Sequence, residues 1–239
     1  MGDHEETADF TQALSVAGPL SLRVNLPGGD ITVRTGDDGQ VTLQGTKHVW
    51  GIGQADAGRR LNAFQVRIEQ SGNQVNITGT DPEGARPRAP RVDFLITVPR
   101  QTALQLVTGV GSIQVEGTQG DATIRADVGR VVLTDVLPVG KLEVQSRVAT
   151  IELNGRLAPK AIYQVTSDIG GISLHVPGES SFSIDARSDI GKVSVGFEVN
   201  GRNSQQGIAG RQVSSDMGPA PSTKLTIRSR MGDIVVDPR

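Results

Sequence analysis

Six segments of this chain repeat one ten-residue pattern, and this repeat constrains the fold more than any other feature. The pattern reads apolar-x-small-x-apolar-Gly-x-apolar-x-apolar, and four of the five steps between successive segments measure 18 to 21 residues. The segments are 106–115, 124–133, 144–153, 165–174, 186–195 and 227–236. A regular step of this size, built from strand-like pieces, is typical of short β-strands stacked coil on coil.

An anchor residue divides each segment into two strand-like halves. The residues five, three and one positions before the anchor, and two and four positions after it, are apolar or small. Alternation with period 2 predicts that these five columns face the interior, while the residues between them face water. The alternation slips by one at the anchor, so a corner is predicted there, which glycine forms without Cβ strain. The anchors are Gly111, Gly129, Ala149, Gly170, Gly191 and Gly232. We expect the corner at Ala149 to be rebuilt locally.

A seventh copy of the pattern, residues 24–33 with Gly29 as its anchor, lies near the start of the chain. Gly29 precedes Gly111 by 82 residues and Gly191 precedes Gly232 by 41 residues, close to whole multiples of the step. The chain is therefore predicted to be all-β: one right-handed parallel β-solenoid domain over residues 1–239, with roughly ten coils of about 20–21 residues. Residues 224–237 are predicted to form the terminal coil.

Four stretches depart from the repeat. Residues 1–10 form a polar leader, which we expect to be disordered. A short helix is predicted near residues 55–64 because Leu61 and Phe64 lie on one side of it. Residues 81–91 and 200–222 are rich in the Pro, Gly, Ser and charged residues typical of loops, and both are predicted to be loop excursions.

Composition excludes several classes of partner. The formal net charge of −2 gives no electrostatic reason to expect nucleic acid binding. No apolar run approaches the roughly 20 residues of a membrane span, so direct membrane insertion is not expected. The chain contains no Cys, which excludes disulfides and thiolate chemistry. The first ten residues lack a signal-peptide core, so we expect any export signal or anchor to lie outside this sequence.

One outward column carries charge and is the natural place to look for chemistry. The residues two positions before the anchors are, in chain order, Gly109, Asp127, Arg147, Asp168, Asp189 and Arg230. Stacked carboxylates there could hold Ca²⁺ or form an acid–base pair, whereas Asp beside a corner more simply accepts hydrogen bonds from backbone N–H groups. The three histidines are scattered, and no triad, HExxH or P-loop pattern occurs. We therefore predict no catalytic residue, metal or cofactor.

Trp50, the one Trp of the chain, is the candidate interaction residue, because sugar binding usually recruits an aromatic face. The alternative is that its ring packs over the end of the stack, where burial of its apolar surface is favourable.

Residues 92–117, VDFLITVPRQTALQLVTGVGSIQVEG, resemble the central signature of the DUF4097 family of bacterial adhesin-like β-strand-repeat proteins. Residues 24–33 and 224–237 are similar to the opening and closing repeats of that family. The family often has Ser or Thr before the anchor glycine, where this chain has Val, Ile or Met. The resemblance implies export to the periplasm or cell surface and no established enzymatic role.

These observations predict a noncatalytic scaffold or adhesin-like interaction module associated with the cell envelope. Its expected partner is an unidentified protein or glycan at the cell surface, and self-association through the flanks or ends of the stack is also expected. The alternative is a carbohydrate-active enzyme or a glycan-binding β-helix protein.

Overall fold

The computed structural model describes residues 3–81, 88–197 and 208–239, which contain one helix and nineteen strands joined in a single mixed sheet. The elements of the first part are β1 (Asp3–Ser15), β2 (Leu20–Leu26), β3 (Ile31–Thr35), β4 (Gln40–Ile52), α1 (Gln54–Ala63), β5 (Gln65–Ser71), β6 (Gln74–Thr80) and β7 (Arg91–Val98). The middle part contains β8 (Thr102–Val110), β9 (Ile113–Glu116), β10 (Ala122–Thr134), β11 (Lys141–Asn154), β12 (Ile162–Ile169) and β13 (Ile172–Val176). The last part contains β14 (Phe182–Ile190), β15 (Val193–Val195), β16 (Ile208–Gly210), β17 (Gln212–Met217), β18 (Thr223–Met231) and β19 (Ile234–Pro238).

The repeated segments form parallel rungs, each with one half before the anchor and one half after it. Matching positions of the repeat are direct strand partners: Val131 pairs with Ile151, and Ile151 pairs with Ile172. All three side chains are fully buried. The period-2 pattern and the regular step therefore place equivalent apolar residues above one another in one continuous core.

The rungs do not follow chain order at the C-terminal end. Ile172 pairs with Ile234, and Ile234 pairs with Val193, so the last repeat lies between the two that precede it in sequence. The prediction that residues 224–237 form the terminal coil, two steps beyond Gly191, is wrong. The reason is that the chain reverses direction between β15 and β16. β18 and β19 then insert between the rung of β12 and β13 and the rung of β14 and β15.

Two short antiparallel strands cover this end of the stack. β16 pairs with β15, and β17 pairs with β14. Both belong to the stretch 200–222 that was predicted to be a loop, so the prediction is wrong for these strands, while residues 198–207 lie outside the described residues. Pairing with the last rung satisfies backbone groups that an uncovered sheet edge would leave open.

The N-terminal end departs from the prediction in a similar way. Ile31 pairs directly with Ile113, so the 82 residues between Gly29 and Gly111 place no rung between them. Instead β6 and β7 form the next rung outward, and β4, β1 and β5 cover it with antiparallel pairs. The described ranges thus contain eight parallel rungs and not roughly ten coils, because long gaps in the repeat contain antiparallel covers.

Residues 3–10 of the leader are ordered, against the expectation of disorder. They belong to β1, which pairs along its whole length with β4. Residues 82–87 of the predicted loop 81–91 lie outside the described residues. The predicted short helix is confirmed as α1, in which Ala57 and Arg60 are buried, and the Arg60 Nη1 donates a hydrogen bond to the Trp50 carbonyl at 3.0 Å.

Candidate interaction surface

Large apolar side chains are exposed in the column immediately before the anchors, although the sequence predicts that this column faces the interior. The six side chains are 39 to 62 per cent exposed, and each is the strand partner of the next. In spatial order they are Val110, Val128, Val148, Ile169, Met231 and Ile190, which we call the apolar ladder. These six are among the nine large apolar side chains that are exposed in the described part of the chain.

The backbone explains why period 2 fails at this column. Strand pairing runs from Ala126 with Ser146 to Val128 with Val148 and skips the residue between them, and the same residue is skipped on the neighbouring rungs. The bend therefore begins two residues before the anchor and not at the anchor. A side chain that follows the bend points to solvent, as at a β-bulge.

The ladder is one continuous stripe. Adjacent rungs of a sheet lie about 4.8 Å apart, so six rungs extend over about 24 Å. Single exposed apolar residues are ordinary on protein surfaces, whereas contiguous apolar patches are often interaction sites. Within the described residues, the ladder is therefore our candidate for an interaction surface.

A column of alternating charge runs beside the ladder, two positions before the anchors. In spatial order it reads Gly109, Asp127, Arg147, Asp168, Arg230 and Asp189, which we call the charge column. The signs alternate because the last repeat lies inside the stack and brings Arg230 between Asp168 and Asp189. Opposite charges on adjacent strands stabilise the pairing, and like charges there destabilise it.

The carboxylates of the charge column have guanidinium partners. Arg147 Nη2 lies 3.2 Å from Asp127 Oδ2, and Arg230 Nη2 lies 3.0 Å from Asp168 Oδ1. Asp189 Oδ1 lies 3.1 Å from Arg187 Nε on its own rung. These aspartates therefore accept hydrogen bonds from Arg side chains rather than from turn N–H groups, across adjacent rungs at Asp127 and Asp168 and within one rung at Asp189.

A second flank borders the ladder on its other side, one position after the anchors. In spatial order it contains Ser112, Arg130, Thr150, Gly171, Asp233 and Lys192. Arg130 Nη2 lies 2.6 Å from Glu152 Oε2. Hydrogen bonds from Asn154 and Arg130 lower the pKa of the Glu152 carboxyl below its usual value. The ladder is therefore bordered on both sides by ionised groups.

The corner glycines hold adjacent rungs close together. Gly29, Gly111, Gly129, Gly170, Gly191 and Gly232 have φ between 121° and 152°. A Cβ atom on Gly111 would lie 2.1 Å from the carbonyl oxygen of Gly29, so no other residue fits this stacking. The column three positions before the anchors holds small residues, and its hydrogen-bonding role was missed by sequence reasoning. Thr108, which belongs to this column, donates a hydrogen bond from Oγ1 to the same Gly29 oxygen at 2.9 Å.

The corner at Ala149 is built differently, as the sequence predicts. Ala149 is buried and is not among the residues with positive φ. In the same rung the hydroxyl of Ser146 is buried without a hydrogen-bond partner. The Ala149 carbonyl still accepts a hydrogen bond from Ser167 Oγ at 3.4 Å, and Ala149 still pairs with Gly129.

Trp50 lies at the N-terminal end of the stack and is not part of the ladder. The residue is 9 per cent exposed, and its ring stacks on that of His48 with ring centroids 6.3 Å apart. The guanidinium groups of Arg91 and Arg88 lie 5.5 and 5.7 Å from its centroid. A role for Trp50 in binding stays a prediction, and its ring presents little surface to a sugar.

The face that carries the charge column has two shallow depressions. One, of about 330 Å³, is lined by residues that include Asp168, Arg187 and Arg230, and the other, of about 270 Å³, includes Asp127 and Arg147. Across residues 3–81, 88–197 and 208–239, no three His, Cys, Asp or Glu side chains lie close enough together to hold a metal ion. No helix within these ranges is both long and apolar enough to span a bilayer.

The whole chain is similar in fold to solved structures. No family model and no curated protein matches it. A "putative cell adhesion protein" from Clostridium sporogenes is 12% identical with a TM-score of 0.59, over 98% of this chain and 100% of that one. A "putative adhesin" from Bacteroides fragilis is 17% identical with a TM-score of 0.49, over 96% and 97% of the two chains. At 12% identity the likeness to the Clostridium sporogenes protein shows the fold alone.

Proposed function

We propose that this protein is a noncatalytic, adhesin-like interaction module of the bacterial cell envelope, and that the apolar ladder is its binding surface. The observation that carries this proposal is the exposure of six large apolar side chains in register along one corner. Burial of apolar surface is the main favourable term in protein association, and exposed apolar stripes with charged borders are typical of interaction sites.

The architecture that we propose for this role is a single right-handed parallel β-solenoid domain. The eight in-register parallel rungs support it, and the antiparallel strands at both ends support a body protected from edge-to-edge aggregation. The ladder residues lie on strands that are hydrogen-bonded to their neighbours, so binding orders little additional backbone and costs little backbone conformational entropy. Export to the periplasm or cell surface is supported by the adhesin-like family resemblance and by a fold shared with the Clostridium sporogenes protein.

The charge column supports a recognition role over an acid–base role. Asp127 and Asp168 are each paired with an Arg side chain at 3.0 to 3.2 Å. A general acid or base must turn its carboxyl oxygens toward a substrate, whereas the oxygens of these two aspartates are engaged by guanidinium groups. These aspartates therefore suit electrostatic steering of a partner at the border of the ladder.

The proposal is tested by measuring retention of the purified chain on bacterial cells and on isolated envelope fragments, with and without a chelator. Retention that persists in chelator is expected, and it should fall at least about tenfold in Ile169→Glu because a charge enters the apolar contact. The matched control is Ile162→Glu, since Ile162 lies on the same strand and is 41 per cent exposed against 45 per cent for Ile169. Equal retention of the two variants, or cleavage of anionic polysaccharides by the wild-type chain, would contradict the proposal.

A further inference from the structure

We propose that the partner of the apolar ladder is a second copy of this chain, packed ladder against ladder about a two-fold axis. The inference rests on the proposed function, because it names the partner of the same surface. A two-fold contact uses one patch on both copies, so the patch must be complementary to itself. Both the apolar and the charged residues of this surface meet that condition.

The apolar residues match in an antiparallel arrangement. The two-fold axis then lies across the ladder, perpendicular to the stacking direction, and passes between the rungs of Val148 and Ile169 at the centre of the ladder. All six rungs overlap, and each apolar side chain meets another apolar side chain. The facing pairs are Val148 with Ile169, Val128 with Met231 and Val110 with Ile190, each made twice by symmetry.

The charges on both borders also match in this arrangement. The charge column faces itself in reverse order, which places Asp127 opposite Arg230 and Arg147 opposite Asp168. On the second flank Arg130 lies opposite Asp233. Asp189 and Lys192 face Gly109 and Ser112, so no rung places like charges opposite one another. Complementary charges fix the register of a contact and exclude wrong partners.

The other two-fold arrangement is a parallel dimer, in which the axis runs along the stacking direction of the rungs. The charges of the two copies are complementary in this arrangement as well. The charge column of one copy then faces the second flank of the other on the same rung. The opposing pairs are Asp127 with Arg130, Arg230 with Asp233 and Asp189 with Lys192. A surface whose charges match themselves in both orientations is better explained by a second copy than by an unrelated protein, whose charges this pattern would have to match by chance.

The size of the ladder sets the strength of the contact. A stripe of about 24 Å with partly exposed side chains buries less than the roughly 800 Å² per partner of a standard interface. We therefore expect a weak, reversible dimer with a Kd on the order of 10 µM. Many copies arrayed on an envelope would strengthen such a contact by multivalency.

Sedimentation equilibrium of the full chain tests the proposal over concentrations on either side of that Kd. We expect the mean mass to rise from the 25.2 kDa of one chain toward twice that value. In Ile169→Glu the Kd should rise by about 100-fold or more, since two charges are buried per dimer. Ile162→Glu should dimerise like the wild type. A monomer at all concentrations, or equal weakening by both variants, overturns the proposal.

Engineered cysteines provide a second test, and the chain contains no Cys of its own to interfere. In the antiparallel dimer an equal mixture of Val148→Cys and Ile169→Cys should oxidise to the mixed disulfide. In the parallel dimer each variant should cross-link to itself. Either product supports contact between ladders, whereas no cross-link from variants that keep the circular dichroism spectrum of the wild type overturns it.

The two proposals can fail separately. Retention on cells that depends on Ile169, by a chain that stays monomeric, would overturn the second copy as partner and leave the interaction module standing. Polysaccharide cleavage by a chain that dimerises through the ladder would overturn the noncatalytic function and leave the dimer standing.

Discussion

The assignment of inward and outward faces is tested most directly by truncating two isoleucines on the same rung. Ile172 is fully buried, and its strand partners are Ile151 on one side and Ile234 on the other. Ile169, three residues earlier, is 45 per cent exposed in the ladder. The repeat pattern alone places both in apolar columns and predicts similar losses of stability, whereas the structure predicts very different ones.

The expected magnitudes follow from burial. Ile to Ala removes three carbon atoms, worth about 2.4 kcal/mol of transfer free energy at about 0.8 kcal/mol each. At Ile172 the adjacent rungs hold the cavity open, so Ile172→Ala should lose about 3 to 5 kcal/mol of unfolding free energy. At Ile169 nearly half of the side chain is already in water and no closed cavity forms, so Ile169→Ala should lose about 1 kcal/mol or less.

Urea unfolding followed by far-ultraviolet circular dichroism measures both losses, with the denaturant slope checked for each variant. The protein concentration should lie well below the dimer Kd, so that a weakened dimer does not lower the apparent stability of Ile169→Ala. Losses that agree within about 0.5 kcal/mol would refute the assigned faces, because surface and core truncations differ by more than that.

Three further predictions concern the corner, the core and the charge column. Gly111→Ala should lose about 2 kcal/mol or more in the same unfolding assay, because its Cβ would overlap the Gly29 carbonyl. Burial raises the pKa of Tyr163, the only Tyr, to about 12, so the phenolate absorbance should appear near that pH. Since the ordinary value is 10.0, the contribution of Tyr163 to stability is complete below pH 10.0 and is lost as the pH rises through about 12. Arg230→Asp should lose about 1 kcal/mol, because three aspartates then lie on consecutive rungs.

Each of these predictions has a control. Gly58→Ala, in the middle of α1 with no atom within 4 Å of the added Cβ, should be neutral or slightly stabilising. A loss at Gly111 no larger than at Gly58 would contradict the close stacking of the corner. Arg156 is exposed and lies outside the charge column, so Arg156→Asp should change stability little. A loss equal to that of Arg230→Asp would contradict the stabilising effect of the alternating charges in the column. A phenolate signal near pH 10 in the folded protein would contradict the burial of Tyr163.

The local part of the fold could be predicted from the sequence. Period-2 alternation and a step of about 20 residues were sufficient to make Val131, Ile151 and Ile172 vertical neighbours. The anchor glycines marked the corners, because their φ angles and the stacking of Gly111 on Gly29 exclude a side chain. These features depend on residues within one rung and its neighbour, where sequence spacing is informative.

The ladder could not be predicted in the same way, because its six residues carry the apolar signature of a core column. Only the backbone shows that the bend precedes the anchor and turns Val128 outward. In the sequence, Val, Ile or Met directly after a column that contains Asp and Arg reads, on each of the six rungs, as ordinary period-2 alternation.

The order of the rungs depends on contacts between segments that are distant in sequence, and three of these favour the insertion of the last repeat. Arg230 separates Asp168 from Asp189, which would otherwise lie on adjacent rungs as like charges. Ser188 Oγ donates to the Gly232 carbonyl at 2.8 Å, a bond that requires the inserted rung. Met231 pairs with Ile169 on one side and with Ile190 on the other, so the inserted rung extends the ladder to six residues.

The same insertion therefore stabilises the stack and completes the proposed binding surface. A chain lacking residues 223–239 would lose Met231 from the apolar ladder and Arg230 from the charge column. Val110, Val128, Val148 and Ile169 stack without this segment, so the C-terminal rung is needed only for the complete six-residue surface. Binding that depends on the full length of the ladder should accordingly follow entry of the C-terminal segment into the sheet.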